Sequence, residues 1–371
     1  MVPSAAIDPE RGRRMVGLVL YVLGTVLGGL LLHAVFLIPP LFGRDPIAAY
    51  TAMAYGAALA FPAVLVYMTV PRLLDRYDPE PAWALAIAFT WGALGACGFS
   101  APINSVVSAV AGEAIGAAVC APIVEEFFKA LILFGMFYFW RREFDGVIDG
   151  IIYATFAALG FAAVENVVYY ARAGTGSASV DLTSVFILRG VVTPWAHPLF
   201  TSMTGIGFGL SRESTGPWAR WLYPLLGYAA AVLLHAIWNG AAVLSTALEV
   251  PLVLFLLPLW LLFVVGFLVM VLALALRRGR IIREYLQDEV LIGTLSRDEY
   301  ALVGSAFGQF RARSGPQGKL RGELIATAAR LALSKWHATR AMKGQMRTIS
   351  FDFIVPLRER IAQLRAELAR G

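Results

Sequence analysis

Charge is scarce in this 371-residue chain: Asp, Glu, Lys and Arg make up 15% of it, against about 25% in soluble globular proteins. With 58% hydrophobic residues beside that deficit, the soluble class is excluded. Cysteine is nearly absent. Cys97 and Cys120 both fall in apolar runs, where a thiol is a small packing residue, so neither a disulfide framework nor redox chemistry is expected. A small-x-small cleavage site is missing after RGRR at Arg11 to Arg14, and the apolar run that follows is too long for a signal peptide; it reads as an uncleaved first span. No HExxH zinc motif is present, and no two halves mirror each other as the repeats of transporters often do.

What the chain does have is runs long enough to cross a bilayer. They fall at 15–38, 47–70, 83–100, 115–140, 147–170, 184–210, 221–244 and 251–276, which predicts an all-α polytopic membrane protein with about eight transmembrane helices. A weakly polar stretch with Asn104 and Glu113 is expected to re-enter the membrane in part. Arginines at 11–14, 72 and 76, 141–142, 212 and 220, and 277–280 fall on alternate turns, while the other side holds little more than Arg44 and Arg172. The positive-inside rule then puts both termini in the cytoplasm of a multi-pass cell-membrane protein. The expected division is a cytoplasmic segment at 1–14, a transmembrane core at 15–276, and a basic helical cytoplasmic tail at 277–371.

In the tail, Ser296 to Glu299 has the spacing of a capping box. RSGPQG at 313–318 breaks it, and helices are expected at 320–342 and 357–369. Two readings stand: a helical appendage lying on acidic headgroups, or a partly disordered solvated tail. His337 reads as a surface histidine. The lipid surface is the tail's expected partner, and nucleic acid is not.

One stretch, APIVEEFFKALILFGMF at 121–137, places Glu125, Glu126 and Lys129 inside a spanning run, where each charge costs about 2.5–3.5 kcal/mol. Lys129 is four residues from Glu125 and three from Glu126, so the ammonium can face either. Adjacent carboxylates point about 100° apart, so only one aims fully into a given cavity. The competing reading is a buried ion pair that fixes packing. Glu165, beside Asn166, has no basic residue within a helical turn, so its partner must come from another helix, unless it lies at the helix's outer end. His197, bracketed by Pro194 and Pro198, and His235, four residues before Asn239, also lie within spans. By helix rise, Glu125, Glu165, His197 and His235 can meet at one level, with Gly160, Gly205, Gly207 and Gly209 letting helices approach.

Carboxylates, imidazoles and an amide within a membrane suit hydrolysis. A glutamate would act as general base on water, a histidine as second base or metal ligand, and an asparagine amide as oxyanion donor. They are also a zinc set. The alternative is a proton- or cation-coupled transporter, because proton relays use the same residues. With the residues laid out, the chain resembles the PrsW family of intramembrane proteases, related to the CAAX-prenyl protease superfamily. The resemblance rests on EExxK at Glu125, Glu126 and Lys129, FxxxEN at Phe161, Glu165 and Asn166, the His197 segment, and HxxxN at His235 and Asn239, with DRYDPEP and GVIDGIIYA also similar. It implies an intramembrane peptidase acting on a membrane-anchored, anti-sigma-factor-like protein. Glu125 and Glu126 would activate water, Glu165, His197 and His235 would be base, ligand or both, and Asn239 would be the oxyanion donor. Lys129 would neutralise the carboxylates, with Asn166 supporting. The metal set is drawn from Glu126, Glu165, His197 and His235, for zinc or another divalent ion; without a metal, glutamate and histidine do the work.

Overall fold

A computed structural model describes residues 9–74, 79–176, 181–214, 216–250, 252–343 and 350–370. Within them the chain is helical, and six segments are long and apolar enough to cross a membrane: 11–42, 46–72, 82–111, 147–174, 219–248 and 255–291. Two further helical rods, at 113–139 and 182–213, carry the charged residues of the EExxK and His197 segments.

The first rod is α1 (Pro9–Leu32), continued by a π-helical turn, His33–Leu37. Asp45 caps α2 (Pro46–Tyr67), its Oδ1 accepting from the Ala48 amide at 2.9 Å. A short α3 (Thr69–Leu74) follows. The third rod joins α4 (Ala82–Thr90), a π segment Trp91–Ala96 and α5 (Cys97–Ala111). It is longer than the expected 83–100, and the stretch around Asn104 is helical. The hydroxyls of Ser100 and Ser105 return to the carbonyls of Ala96 and Ala101 at 2.6 and 2.8 Å, so their polar groups are satisfied within the helix. Gly112, at φ +93°, turns the chain into α6 (Glu113–Ile115), a π segment Gly116–Cys120 and α7 (Ala121–Phe139).

The centre of this unit is α8 (Val147–Gly174). Asp149 fixes its start by accepting from the amides of Asp145 and Gly146 at 2.7 and 3.1 Å. Its sequence is rich in alanine and glycine, and 94% of its most apolar window is buried. Small residues let neighbours approach backbone to backbone. Gly160 lies on the carbonyl of Phe89, Gly92 on that of Ala157, Gly56 on that of Val167, and Gly150 and Gly205 pack on each other. Outer helices do the reverse: Leu23, Leu65, Leu233 and Leu261 stand exposed, as lipid-facing side chains do. The sixth rod is α9 (Leu182–Phe186), a π segment Ile187–Val192, a break at 193–195 and α10 (Ala196–Glu213). After α11 (Ala219–Leu248), α12 (Leu252–Leu291) runs unbroken well past the expected boundary at Leu276.

The chain divides into two compact units, residues 1–71, 81–212 and 220–267 in one, and residues 72–80, 213–219 and 268–371 in the other. The second unit holds a hydrophobic core of its own, with Ile282, Leu286, Ile325, Ala328, Ile361 and Leu364 buried. Its helices after α12 are α13 (Arg297–Val303), α14 (Ala306–Ser314), α15 (Gly318–Lys343) and α16 (Phe351–Arg370). The capping box forms: the Glu299 amide donates to Ser296 Oγ at 3.1 Å and the Ser296 amide to Glu299 Oε2 at 2.6 Å. α16 begins at Phe351, ahead of the expected 357, with Pro356 inside it. So near a helix start, a proline forfeits a single backbone bond. Asp75 to Asp78 of the DRYDPEP connector, Ser177 to Ser179 of the Gly/Ser loop, and residues 1–8 of the N-terminal segment lie outside the described residues.

Candidate active site

α7 presents Glu125, Glu126 and Lys129 on one buried face. Lys129 Nζ lies 2.9 Å from Glu126 Oε1 and 3.7 Å from Glu125 Oε2, so the ammonium binds the nearer carboxylate and borders the other. It also stands 3.9 Å from the centroid of the Phe161 ring on α8, a cation–π contact. Glu126 has both oxygens engaged. His235 Nδ1 from α11 is 3.1 Å from Oε1, and Thr201 Oγ1 from α10 donates to Oε2 at 2.8 Å.

Glu165 finds its partners on another rod. Arg189, in the π segment Ile187–Val192, pairs with Glu165 Oε2 and donates through Nε to Asn166 Oδ1 at 2.7 Å. His197 Nε2 lies 2.8 Å from the same Glu165 oxygen, and its Nδ1 lies 3.1 Å from Lys129 Nζ. A carboxylate can only accept and an ammonium only donate. The network therefore assigns the His197 proton to Nε2 and a lone pair to Nδ1. The same logic gives His235 a proton on Nδ1, toward Glu126, and a lone pair on Nε2. That nitrogen is 3.9 Å from Glu125 Oε2.

Glu125 differs from its neighbour. Asn104 of α5 donates to its Oε1 at 3.1 Å, while Oε2 is buried with no hydrogen-bond partner among the described residues. Each of Glu125, His197 and His235 offers one ligand atom, and the three atoms lie within 4.8 Å of one another. Two imidazoles and a carboxylate are a zinc-type donor set, and an orphaned carboxylate oxygen among them fits a cation. Three carboxyl groups, Glu125, Glu126 and Glu165, also face two fixed cations, Lys129 and Arg189.

The folded chain thus brings Glu125, Glu126, Lys129, Glu165, Asn166, His197 and His235 into one network. Asn239 stands apart from it: its Nδ2 donates to the Ala117 carbonyl in the π segment Gly116–Cys120 at 3.0 Å. Within the mutually close donor set the carboxylate is Glu125; Glu126 and Glu165 instead hold the far nitrogens of the two imidazoles. Sequence reasoning missed Asn104, Thr201 and Arg189. Thr201 is four residues from His197, on the same helix face, and Arg189 is an arginine inside an expected span; those positions hint at a role, though not at the partner each one meets.

The family model for the PrsW family intramembrane metalloprotease matches residues 80–275. The chain is 28% identical over 199 residues to the protein "Protease PrsW" of Geobacillus kaustophilus, covering 51% of this chain and 80% of that one. The protein of the same name from Oceanobacillus iheyensis is 31% identical over 166 residues, covering 43% and 70%, and that of Clostridioides difficile is 30% identical over 186 residues, covering 49% and 76%. No solved structure matches.

Proposed function

The chain belongs to the PrsW family of intramembrane metalloproteases, and we propose that it hydrolyses peptide bonds of membrane-anchored proteins at Glu125, His197 and His235. One observation carries this reading: donor atoms from three separate helices, α7, α10 and α11, converge within 4.8 Å in the buried interior.

Two acceptors 3.9 Å apart, Glu125 Oε2 and His235 Nε2, can share one water that donates to both. Glu125 then takes a proton as the water attacks, and Asn104 keeps its carboxylate aimed. Glu126, Lys129 and Thr201 hold His235 in the tautomer that leaves Nε2 facing the water. Glu165, gripped by Arg189, holds His197 in the opposite tautomer, with the proton on Nε2 and the Nδ1 lone pair turned toward Lys129. Lys129 is the positive charge nearest the oxyanion that develops, and Asn239 supplies an amide donor by exchanging the Ala117 carbonyl for the substrate's. A bound zinc or other divalent ion would be held by Glu125, His197 and His235 and would polarise the attacked carbonyl. Glu126 would go on holding His235 Nδ1 and Lys129.

The rest of the reading follows from the sequence pattern. We read the six long apolar segments and the two charged rods as eight crossings, with both termini cytoplasmic and the basic tail, from about residue 277, on acidic headgroups. An anti-sigma-factor-like single-span protein is the proposed substrate, and the EExxK and HxxxN motifs support the kinship with the CAAX-prenyl proteases.

Purified protein in nanodiscs, incubated with single-span reporter proteins, tests the activity. Wild type is expected to release a fragment, and Glu125→Gln and His235→Ala are each expected to slow release by about 10²–10⁴-fold. Equal rates in all three would end the assignment. Elemental analysis of protein purified without chelator, with activity followed in strong chelator, decides the metal. Metal-free protein that keeps its activity would leave glutamate and histidine alone.

A further inference from the structure

Beside His235 the membrane-facing side of the first unit contains an apolar cavity of about 270 Å³. Leu234 and Trp238 of α11 form one wall and Leu256 and Trp260 of α12 the other, with Phe200 of α10 at the inner end. That inner end is also part of the catalytic network's support: the Phe200 ring stacks on His235 with centroids 5.3 Å apart and planes at 24°. Trp260 meets Phe200 edge-on at 6.0 Å and Trp238 at 5.1 Å. An unbroken aromatic surface therefore runs from the reactive imidazole into the cavity. The outer mouth is flanked by Ile237 and Leu259, exposed at 53% and 63%, and opens where lipid would lie.

We propose that this cavity is a specificity subsite, which receives one large apolar side chain of the substrate's membrane segment next to the bond to be cut. The proposal rests on the peptidase reading above. Three observations select that occupant. A peptide bond held at Glu125 and His235 brings the flanking residues of its chain to Leu234 and Trp238, the immediate sequence neighbours of His235 and Asn239. The lining is apolar, so a charged or amide side chain would lose its hydration there without a partner. And a closed apolar cavity of about 150 Å³ already admits benzene, so this one takes a leucine, methionine or phenylalanine side chain with room for its backbone attachment. Catalysis and selection share a helix: α11 supplies both His235 and one wall of the pocket.

The test uses full-length protein in nanodiscs and single-span peptides that differ in one residue, leucine, phenylalanine, alanine or aspartate, moved stepwise through the segment. At one position wild type is expected to cleave the leucine and phenylalanine peptides at least about tenfold faster, in kcat/KM, than the alanine peptide, and the aspartate peptide slower still. Leu256→Trp, which fills the cavity, is expected to bring the leucine-to-alanine ratio to one or below. Trp260→Ala is expected to raise the ratio for phenylalanine. Ratios that are the same in wild type and both variants would overturn the subsite. A second readout does not need turnover: the leucine peptide with a diazirine side chain at the selected position, or at each position in turn, is cross-linked to the Glu126→Gln protein. Labels on residues 234–238 and 256–260 that Leu256→Trp abolishes support the pocket, even where no peptide is cut and the peptidase reading has itself failed. Labels confined to other helices overturn it. So does labelling of those residues by a diazirine phospholipid that excess peptide fails to displace, which would make the cavity a lipid site.

Discussion

Two adjacent glutamates of the same helix have different jobs because their four oxygens meet different partners. Glu126 is saturated by Lys129, His235 and Thr201, whereas Glu125 keeps one oxygen bare. Thr201→Val removes a single hydrogen bond to a charged group, a change of about 1.5–3 kcal/mol. It is expected to lower kcat by about tenfold or more with little change in KM, read from reporter cleavage, while Glu125→Gln loses far more. Arg189 has a different role, since it balances Glu165 and touches neither Glu125 nor His235. Arg189→Ala leaves that carboxylate short of a partner, and because both side chains are about one-fifth exposed the cost falls below the 3–5 kcal/mol of a fully buried pair, at about 2–3 kcal/mol. Thermal unfolding in detergent checks this: adding Glu165→Gln to Arg189→Ala should recover part of the lost stability. A double variant as unstable as the single one would show that charge balance is not what Arg189 provides. Thr201 and Arg189 escaped the sequence reading because each matters only through a partner on another helix, 75 and 24 residues away in the chain.

The site stays assembled because α8 and its neighbours pack at backbone distance. Gly150 and Gly205 pack on one another, so a side chain at either would meet the opposite backbone, not a flexible neighbour that could move. Gly205→Leu is expected to separate α8 from α10, which holds His197, and to lower both the melting temperature and reporter cleavage. Gly240→Ala, with nothing within 4 Å of the added carbon, serves as the contrast and should leave the melting temperature unchanged or raise it. Similar loss at both positions would mean that glycine is needed for something other than close approach. π-helical segments, rare in proteins at large, border the site: Gly116–Cys120 offers the Ala117 carbonyl to Asn239, and Ile187–Val192 holds Arg189. Hydrophobic periodicity carries no hint of them, since a π turn is one extra residue between stretches that each read as α-helix.

On the scale of the molecule, the second unit has its own core and its own buried ion cluster. Glu289, fully buried, receives Lys335 at 2.8 Å and Arg358 at 2.7 Å. Glu289→Ala would take from Arg358 its carboxylate partner, while Lys335 keeps Asp288. With Arg358 about one-third exposed, the loss is expected at about 2–3 kcal/mol, seen as faster hydrogen exchange in α15 and α16. If the units act separately, as the expected division near residue 277 proposes, reporter cleavage should persist in this variant; loss of both together would join them functionally.

Much was legible in the sequence alone. Scarce charge and long apolar runs determine a polytopic helical membrane protein, because a bilayer interior admits few unpaired charges and no unsatisfied backbone. For the same reason charges that remain there, among them Glu125, Glu126, Lys129 and Glu165, identify themselves as expensive, and His197 and His235 join them by depth. Chain order could not say which carboxylate oxygen is left bare, which imidazole nitrogen keeps its lone pair, or that Asn104, Thr201 and Arg189 complete the network. Those are properties of distances between helices, and they were decided only when glycine contacts around α8 set how closely the helices come together.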